Sequence, residues 1–510
     1  MAAGRLESAP ITDKAPGGRA VTVVKPSPVG ASGRRAGPAS EGSTSMIDLT
    51  KIFDVLIVGG GNAGLCAAVT SQQGGARTLL LESAPAAFRG GNSRHTRNIR
   101  YMHQRATEYV TGPYTEEEFW DDLLQVTGGE SNEQLARLTI RDSEDLVQWI
   151  ATNGVRWQRP LRGTLHLART NLFMLGGGKA MLNAYYDTAS RLGVQIAYES
   201  EVRELKVRDG EFLSAVALRN GALHEVKAKT IVIASGGFEA NIPWLKEYWG
   251  NATDNFIIRG TKYNQGQMLK ELLKHGAKPV GDPRDCHAVA VDARAPKFDG
   301  GIVTRLDSVP FGIVVNKEAK RFYDEGEDFW PKRYASWGGL IAREPDQIAY
   351  SIIDAKAMAH FMPSVFPPVE AGSISELAAA LGLDPPALVA VVDGFNRAVR
   401  PGTFDPGSLD DCRTAGLDPP KSHWARPLDT PPYYGYPLRP GITFTYLGVT
   451  VNEHARVIMQ DGRPGKNIFA AGEVMAGNIL RKGYLGGFGL TVGSVFGRIA
   501  GREAARHARD

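Results

Sequence analysis

The chain has 510 residues, 43% apolar and 22% charged, an ordinary globular composition with enough length for two or more structural units. No apolar run approaches the ~20 residues that span a bilayer. The formal charge of +4 is concentrated at one end, because residues 1–45 hold six Lys/Arg against three Asp/Glu and the other 465 residues stand at +1. Nucleic-acid binding therefore has no electrostatic basis in the body of the chain, and no transmembrane segment is expected.

In chain order, residues 1–48 are rich in Pro, Gly, Ala and Ser and lack apolar periodicity. A disordered tail is expected there, dispensable for cofactor content and activity, with Met46 just before the folded pattern. Asp54-Val-Leu-Ile-Val58 is a short apolar run suited to one buried parallel strand. Gly59, Gly61 and Gly64 follow as G-x-G-x-x-G, and Leu65 to Gln73 predicts a helix. Here Gly59 permits the tight turn, Gly61 lets a pyrophosphate approach the backbone, and Gly64 lets helix and strand pack closely. Amides at the helix start, with Asn62 and Ala63 in the loop, face the phosphates. Glu82, with Ser83 beside it, closes the apolar run Thr78-Leu-Leu-Leu81, 18 residues past Gly64. That is near the spacing at which a carboxylate meets a ribose hydroxyl.

Gly90-Gly-Asn-Ser-Arg-His-Thr-Arg97 offers close backbone approach at Gly91 and short polar groups at Asn92 and Ser93 for a flavin ring edge. A helix is predicted over 132–150, with Ser131 and Gln134 as its capping box. Gly176-Gly-Gly-Lys179 opens another helix to Leu192, Val194 to Val202 reads as a strand, and Lys229 to Ala234 as a strand ending in the turn Ser235-Gly-Gly237. This alternation implies a doubly wound parallel sheet with ligands at the strand C-termini. Prolines become frequent from about 282 to 440, where short helices are predicted at 374–382 and 386–392. The sheet pattern returns near Gly441, and Asn467 to Ala471 leads into Gly472-Glu473 and Leu485-Gly-Gly-Phe-Gly-Leu490. The expected architecture is α/β. A Rossmann-like dinucleotide-binding domain in two parts, 49–281 and 441–510, is interrupted by an α+β capping domain over 282–440, with a cleft between them.

Over essentially all of 50–508 the chain resembles the fumarate reductase/succinate dehydrogenase flavoprotein family, which includes 3-ketosteroid dehydrogenases. The resemblance rests on Gly59–Gly64 with Glu82, Gly90-Gly-Asn-Ser93, Gly176-Gly-Gly178, Ala234-Ser-Gly-Gly-Phe238 and Asn316-x(4)-Arg321-Phe322-x-Asp-Glu325. It rests also on Ser375-Glu-Leu-Ala378 leading towards Phe395-Asn396, and on Ala470-Ala-Gly-Glu473 with Leu485-Gly-Gly487. It implies non-covalent FAD, with Gly177, Gly178, Val202, Ala234, Gly236, Gly472, Glu473, Gly486, Gly487 and Leu490 joining the contacts above, and a mobile cap. It further implies an oxidoreductase acting on a C–C bond beside an electron-withdrawing group. The strings Arg89 to Asn98 and Glu325 to Tyr334 look most like those of FAD-dependent tricarballylate dehydrogenases, which implies conversion of propane-1,2,3-tricarboxylate to cis-aconitate.

Departures from the fumarate reductases bear on the substrate. Their arginine before the Leu-Gly-Gly is Tyr484 here, as in ketosteroid dehydrogenases, with Arg481 three residues earlier. A family histidine pair maps onto Thr443 and Phe444, and the proton-transferring arginine onto Phe329, so fumarate itself is not expected. His287 matches the family histidine beside the flavin. Desaturating a carboxylate-bearing CH–CH unit requires a base for the alpha proton and positive charge for the enediolate. The candidates are His287, Arg481, Tyr484, Arg333 and the run Arg94-His95-Arg97-Arg100. Arg333, Asp328, Lys332 and Tyr334 all sit close enough to serve as the base and the sequence does not choose among them, and His166 and Arg169 are further cleft candidates. Cys66, Cys286 and Cys412 are scattered, so no haem, iron–sulfur cluster or metal is expected in the chain. Electrons from a polycarboxylate substrate would pass to a separate membrane-bound iron–sulfur or haem partner, with the protein cytoplasmic or peripheral at the inner membrane face. The competing readings are a fumarate reductase-like or 3-ketosteroid dehydrogenase-like flavoenzyme, and a non-catalytic flavin-binding electron-transfer protein.

Overall fold

A computed structural model describes residues 47–160 and 167–510; of the tail expected over 1–48, residues 1–46 lie outside the described residues, as does the candidate His166. The apolar run forms β1 (Phe53–Val58), and the helix behind it, α1 (Asn62–Gln73), starts three residues earlier than predicted. It does so because Gly61 is extended and its carbonyl already accepts from Leu65 N at 2.9 Å. β2 (Thr78–Leu81) pairs in parallel with β1, and the glycine-opened helix is α2 (Gly177–Leu192). The strand predicted from Val194 to Val202 is divided. Glu199, at φ 51°, turns the chain between β3 (Gln195–Ala197), which extends the parallel sheet, and Ser200–Arg208, which joins a separate antiparallel meander. The helix Glu133–Thr152 is capped by Asn132, whose Oδ1 accepts from Leu135 N at 3.1 Å, whereas Ser131 Oγ is buried without a partner. Asparagine reaches the orphan amide from the N-cap itself, and the predicted Ser131 box is one residue out of register.

After β4 (Ala228–Ile233), parallel to β1, the chain builds a second sheet. It consists mainly of β5 (Cys286–Asp292), β6 (Ile313–Asn316), β7 (Ala349–Asp354) and β8 (Tyr433–Thr445). Helices α3 (Ile374–Leu381) and α4 (Pro385–Ala398) cover it, with α4 six residues longer than predicted at its C-terminal end. Leu377, Leu388, Val392 and Phe395 pack there with Val315 and Ile352 in a small core of their own. This sheet takes in Ile257–Ile258 and runs on to Thr445, so it extends past 282 and 440 on both sides. The 13 residues of β8 pair with β7 through Leu438 and with β5 from Leu438 to Thr445. One strand therefore carries the chain out of the cap and back to the first sheet.

That sheet is completed by β9 (Arg456–Ile458) and β10 (Pro464–Ala470), giving the order β9-β10-β4-β1-β2-β3, parallel except at β9. The final helix, α5 (Phe488–His507), lies on α1 through glycines. A Cβ at Gly497 would stand 2.4 Å from the Ala63 carbonyl oxygen and one at Gly501 2.3 Å from that of Ala67. Gly501→Val is expected to cost about 1–3 kcal/mol through overpacking and to lower the melting temperature of the FAD-loaded protein. A variant that melts with the wild type would refute this close seam.

Candidate functional site

A long cavity opens at the C-terminal ends of β1, β2 and β4, where the parallel strands hand over to loops. Gly59, Gly61, Asn62, Ala63, Glu82 and Ser83 line it from the first half of the chain, with Gly91, Asn92, Ser93, Val202, Ala234 and Gly236. Gly472, Glu473 and Leu490 line it from the second half. Gly61 fits the close-approach role, since it lines the cavity and a Cβ there would meet nothing nearer than 3.6 Å. Gly64 fits the packing role, with the Gly59 carbonyl oxygen 1.8 Å from where a Cβ would stand.

Five predicted cofactor contacts do not line the cavity. Gly64 is one, for the reason just given. Gly177 and Gly178 lie behind the 91–96 loop, where a Cβ on Gly178 would meet the Ser93 carbonyl oxygen at 1.9 Å. Gly486 and Gly487 form the turn into α5, and the Gly486 carbonyl accepts from Arg100 Nε at 3.0 Å and Asn171 Nδ2 at 2.7 Å. These glycines support the walls rather than forming them. Conversely, the segment from Thr261 to Met268 lines the cavity and was not singled out. Its one sequence signal is Gly266, at φ 74°, directly before the helix Gln267–Lys274.

Asn92 joins three elements. Its Oδ1 accepts from Thr261 N at 2.8 Å, and its Nδ2 donates to the Thr443 carbonyl at 2.8 Å and to Glu239. Glu239 is fully buried beside Glu473, whose Oε1 accepts from Thr445 N at 2.8 Å. Burial raises the Glu239 carboxyl, and burial together with the charge of Glu239 raises Glu473 well above the usual carboxylate range. Two adjacent carboxyls of this kind hold one proton between them. Glu473 is the one raised the further, burial first and then the Glu239 charge acting on it, so the neutral form is favoured there.

His287, Tyr484, Arg259, Thr443 and Phe444 line one region of the cavity. The His287 ring stacks on Tyr484 with centroids 4.0 Å apart and 13° between planes, and Tyr334 meets it edge-on at 5.5 Å and 88°. Tyr484 Oη accepts from Gly489 N at 3.0 Å. Burial, then Arg259 and Arg305, push His287 well below the usual histidine range, so the ring is neutral. Two arginines that sequence reasoning missed belong to this region, Arg259 on the cavity lining and Arg305 outside the lining, over the Tyr334 ring. Arg259 donates to Thr443 Oγ1 at 2.9 Å, and its Nε and Nη1 are buried without partners. Arg305 pairs with Asp307 at 2.7 Å and lies 4.4 Å from the Tyr334 ring centroid. Arg97 joins them, 3.4 Å from the same Asp307. Burial and then Arg305 lower both Arg97 and Arg259 to about 10, whereas Asp307 outweighs burial at Arg305 and raises it.

The other candidates lie elsewhere. Arg481 is exposed and outside the cavity. Arg333 is ion-paired with Glu327, Lys332 with Asp122 at 2.8 Å, and Asp328 accepts from Gln125 Nε2 at 2.9 Å. Of that stretch, Tyr334 makes a ring contact with His287. His95 lines the cavity, with Nε2 2.8 Å from Asp299 Oδ1. Arg94 lies 5.4 Å from the Phe88 ring centroid. Arg100 is buried in the wall, held by Gly486 and by Tyr114 Oη at 2.6 Å, and Arg169 is paired with Glu118. Cys66 is a buried packing residue whose thiol burial pushes up to about 12.

The sequence profile of the family described as FAD binding domain matches residues 54–490. NADH:fumarate oxidoreductase from Klebsiella pneumoniae (strain 342) is 27% identical over 471 residues, covering 90% of this chain and 48% of that protein. The chain thus spans about half the length of that relative. The open conformation of a flavocytochrome c3 fumarate reductase superposes with a TM-score of 0.70 at 24% identity, covering 90% of this chain and 79% of that one. 3-Ketosteroid-Δ4-(5α)-dehydrogenase from Rhodococcus jostii RHA1 gives 0.68 at 20% identity, covering 91% and 99%. These two structures share the fold.

The cavity fits FAD. It has a glycine cradle at a helix N-terminus for the pyrophosphate, a carboxylate at Glu82, and Ser235 Oγ on the lining, buried without a protein partner. Glu473→Gln, which mimics the protonated acid, is expected to retain FAD. Because folding raises the Glu473 carboxyl, its contribution is complete at acid pH and falls as pH rises above the ordinary carboxylate range. Melting curves of both FAD-loaded proteins at about pH 5 and pH 8 should therefore shift in favour of the glutamine variant at the higher pH. An unchanged difference would argue against a shared proton.

Proposed function

The chain belongs to the FAD binding domain family, among the fumarate reductase/succinate dehydrogenase flavoproteins, and we propose that it desaturates a polycarboxylate, with tricarballylate to cis-aconitate as the reaction. The observation that carries this reading is a buried excess of positive charge. Arg97, Arg259 and Arg305 stand together, and Asp307 is the carboxylate that pairs with two of them. Uncompensated buried guanidiniums are costly, and a substrate with up to three carboxylates supplies the missing negative charge. An apolar steroid does not, although Tyr484 and the shared fold also suit a ketosteroid dehydrogenase.

In this reading Arg259, with Nε and Nη1 free of protein partners, and Arg305 bind substrate carboxylates and stabilise the enediolate as it forms. Tyr334 accepts the alpha proton. Burial raises its phenol, while Arg305, Arg259, Arg100 and Arg97 oppose that rise. Bound FAD supplies the hydride acceptor. The electrons then leave to a separate membrane-bound iron–sulfur or haem protein. In support, the three cysteines are scattered, and among the described residues no helix is long and apolar enough to cross a membrane.

Tricarballylate is expected to bleach the flavin band of the anaerobic protein, with succinate and a 3-ketosteroid inert. Bleaching by the steroid alone would overturn the substrate class, and efficient reduction of dioxygen or NAD by the purified chain would overturn the separate acceptor. Arg305→Gln should lower kcat/KM about 100-fold, roughly 2.7 kcal/mol of transition-state binding. With Tyr334 as base, the wild-type rate should climb about tenfold per pH unit below the raised phenol range. Tyr334→Phe should abolish that climb; a variant that keeps it would assign the base elsewhere.

A further inference from the structure

Thr443, near the end of β8, stands between two groups that line the cavity. Its Oγ1 is 2.9 Å from Arg259 Nη2 and 3.0 Å from His287 Nδ1. A guanidinium only donates, so Oγ1 accepts from Arg259 and keeps one proton of its own to place. If His287 Nδ1 were protonated, both neighbours would donate to Oγ1 and the hydroxyl proton would be left with neither as its acceptor. Leaving a buried donor unpaired is the costly outcome. The satisfied arrangement has the Thr443 hydroxyl donating to a bare Nδ1. A neutral imidazole with a bare Nδ1 carries its proton on Nε2.

The surroundings of the ring agree. Nε2 is buried and meets no protein partner, while His287 lines the cavity. Stacking on Tyr484 and the edge contact with Tyr334 restrain the ring from turning over to exchange its nitrogens. From this geometry we infer that Thr443 is a positioning residue that fixes His287 as the neutral Nε2–H tautomer, a hydrogen-bond donor for an oxygen of the substrate. The charged and titratable groups facing the ring are Arg259, Arg305, Tyr334 and Tyr484. The two guanidiniums oppose an imidazolium, and burial raises both phenols and so keeps them neutral at pH 7. His287 then binds without offering an acidic proton to the enediolate. The inference rests on the proposed function only for which oxygen accepts the bond; the tautomer belongs to the protein alone.

The test uses the full FAD-loaded chain labelled with imidazole-¹⁵N histidine, with His287 assigned by difference from His287→Gln. In the wild type the Nδ1 signal should be that of an unprotonated nitrogen and the Nε2 signal that of a protonated one. Neither should move between about pH 6 and pH 8.5. Thr443→Val should shift Nδ1 towards the protonated type. It should also raise KM for tricarballylate at least about tenfold while kcat changes less than about threefold, and Thr443→Ser should restore both. A protonated Nδ1 in the wild type, or a valine variant of equal FAD content with an unmoved Nδ1 signal, overturns the inference. The wild-type spectrum decides the tautomer even if the valine variant fails to fold. Failure of tricarballylate to turn over with the spectra as expected would count against the substrate and leave the tautomer standing.

Discussion

The Asn62 side chain holds the two ends of the chain in one site. Its Nδ2 donates at 3.0 Å to the Leu490 carbonyl and at 3.0 Å to Ser494 Oγ, residues 428 and 432 positions away. Its backbone N–H donates to Ser93 Oγ at 3.1 Å. One residue at a helix start thus ties the first glycine turn, the 91–96 loop and the final helix. The glycine seam between α1 and α5 lets those helices approach closely enough for this to happen. The cap sheet, inserted between β4 and β9, is topologically a very long loop of this unit. Closing it costs little more entropy than closing a shorter one, which makes so large an insertion affordable.

The insertion must return where it left, and β8 makes the return. Its last three residues, Thr443 to Thr445, touch Asn92, Arg259, His287 and Glu473. The side of the cavity at Glu473 and the side at His287 and Arg259 therefore share a strand. The proton on Glu473 lets Glu239 and Glu473 lie side by side where two charged carboxylates would repel one another. Through Thr445 N, which donates to Glu473 Oε1 at 2.8 Å, this pair joins the cap's exit strand to the second glycine segment.

The parts legible in the sequence are those whose chemistry is local. The turn from Gly59 to Gly64 and Glu82 could be read because backbone approach, helix dipole and carboxylate are set by spacing along one βα unit. The glycines at 177, 178, 486 and 487 matched a pattern, but a glycine admits close backbone packing as readily as a ligand, and packing is what the structure has there. Arg259 and Arg305 were illegible because each is an isolated arginine, in Ile258-Arg-Gly260 and Thr304-Arg-Leu306. Their meeting is made by the cap sheet, not by any spacing. Arg481 was misjudged for the opposite reason. It is near Tyr484 along the chain, yet Gly483, at φ 53°, turns between them, and Arg481 is left exposed while Tyr484 goes in.

The position of positive charge then carries meaning of its own. An aromatic residue at 484 leaves that face of the cavity neutral, since Tyr484 stacks on a neutral His287 and donates no charge to a substrate. The guanidiniums come instead from the 94–100 run, from the segment beside β8 and from the loop between β5 and β6. Asp307 ties two of them together and receives Trp330 Nε1 at 2.7 Å, so part of the charge is fixed in place while Arg259 remains free to pair. In the proposed reaction, such an arrangement would hold an anion from the cap side and orient it towards an uncharged stack of rings. An uncharged stack is suited to the reacting carbon atoms, where a further cation would stabilise the ground-state carboxylate as much as the enediolate and so add binding without adding rate.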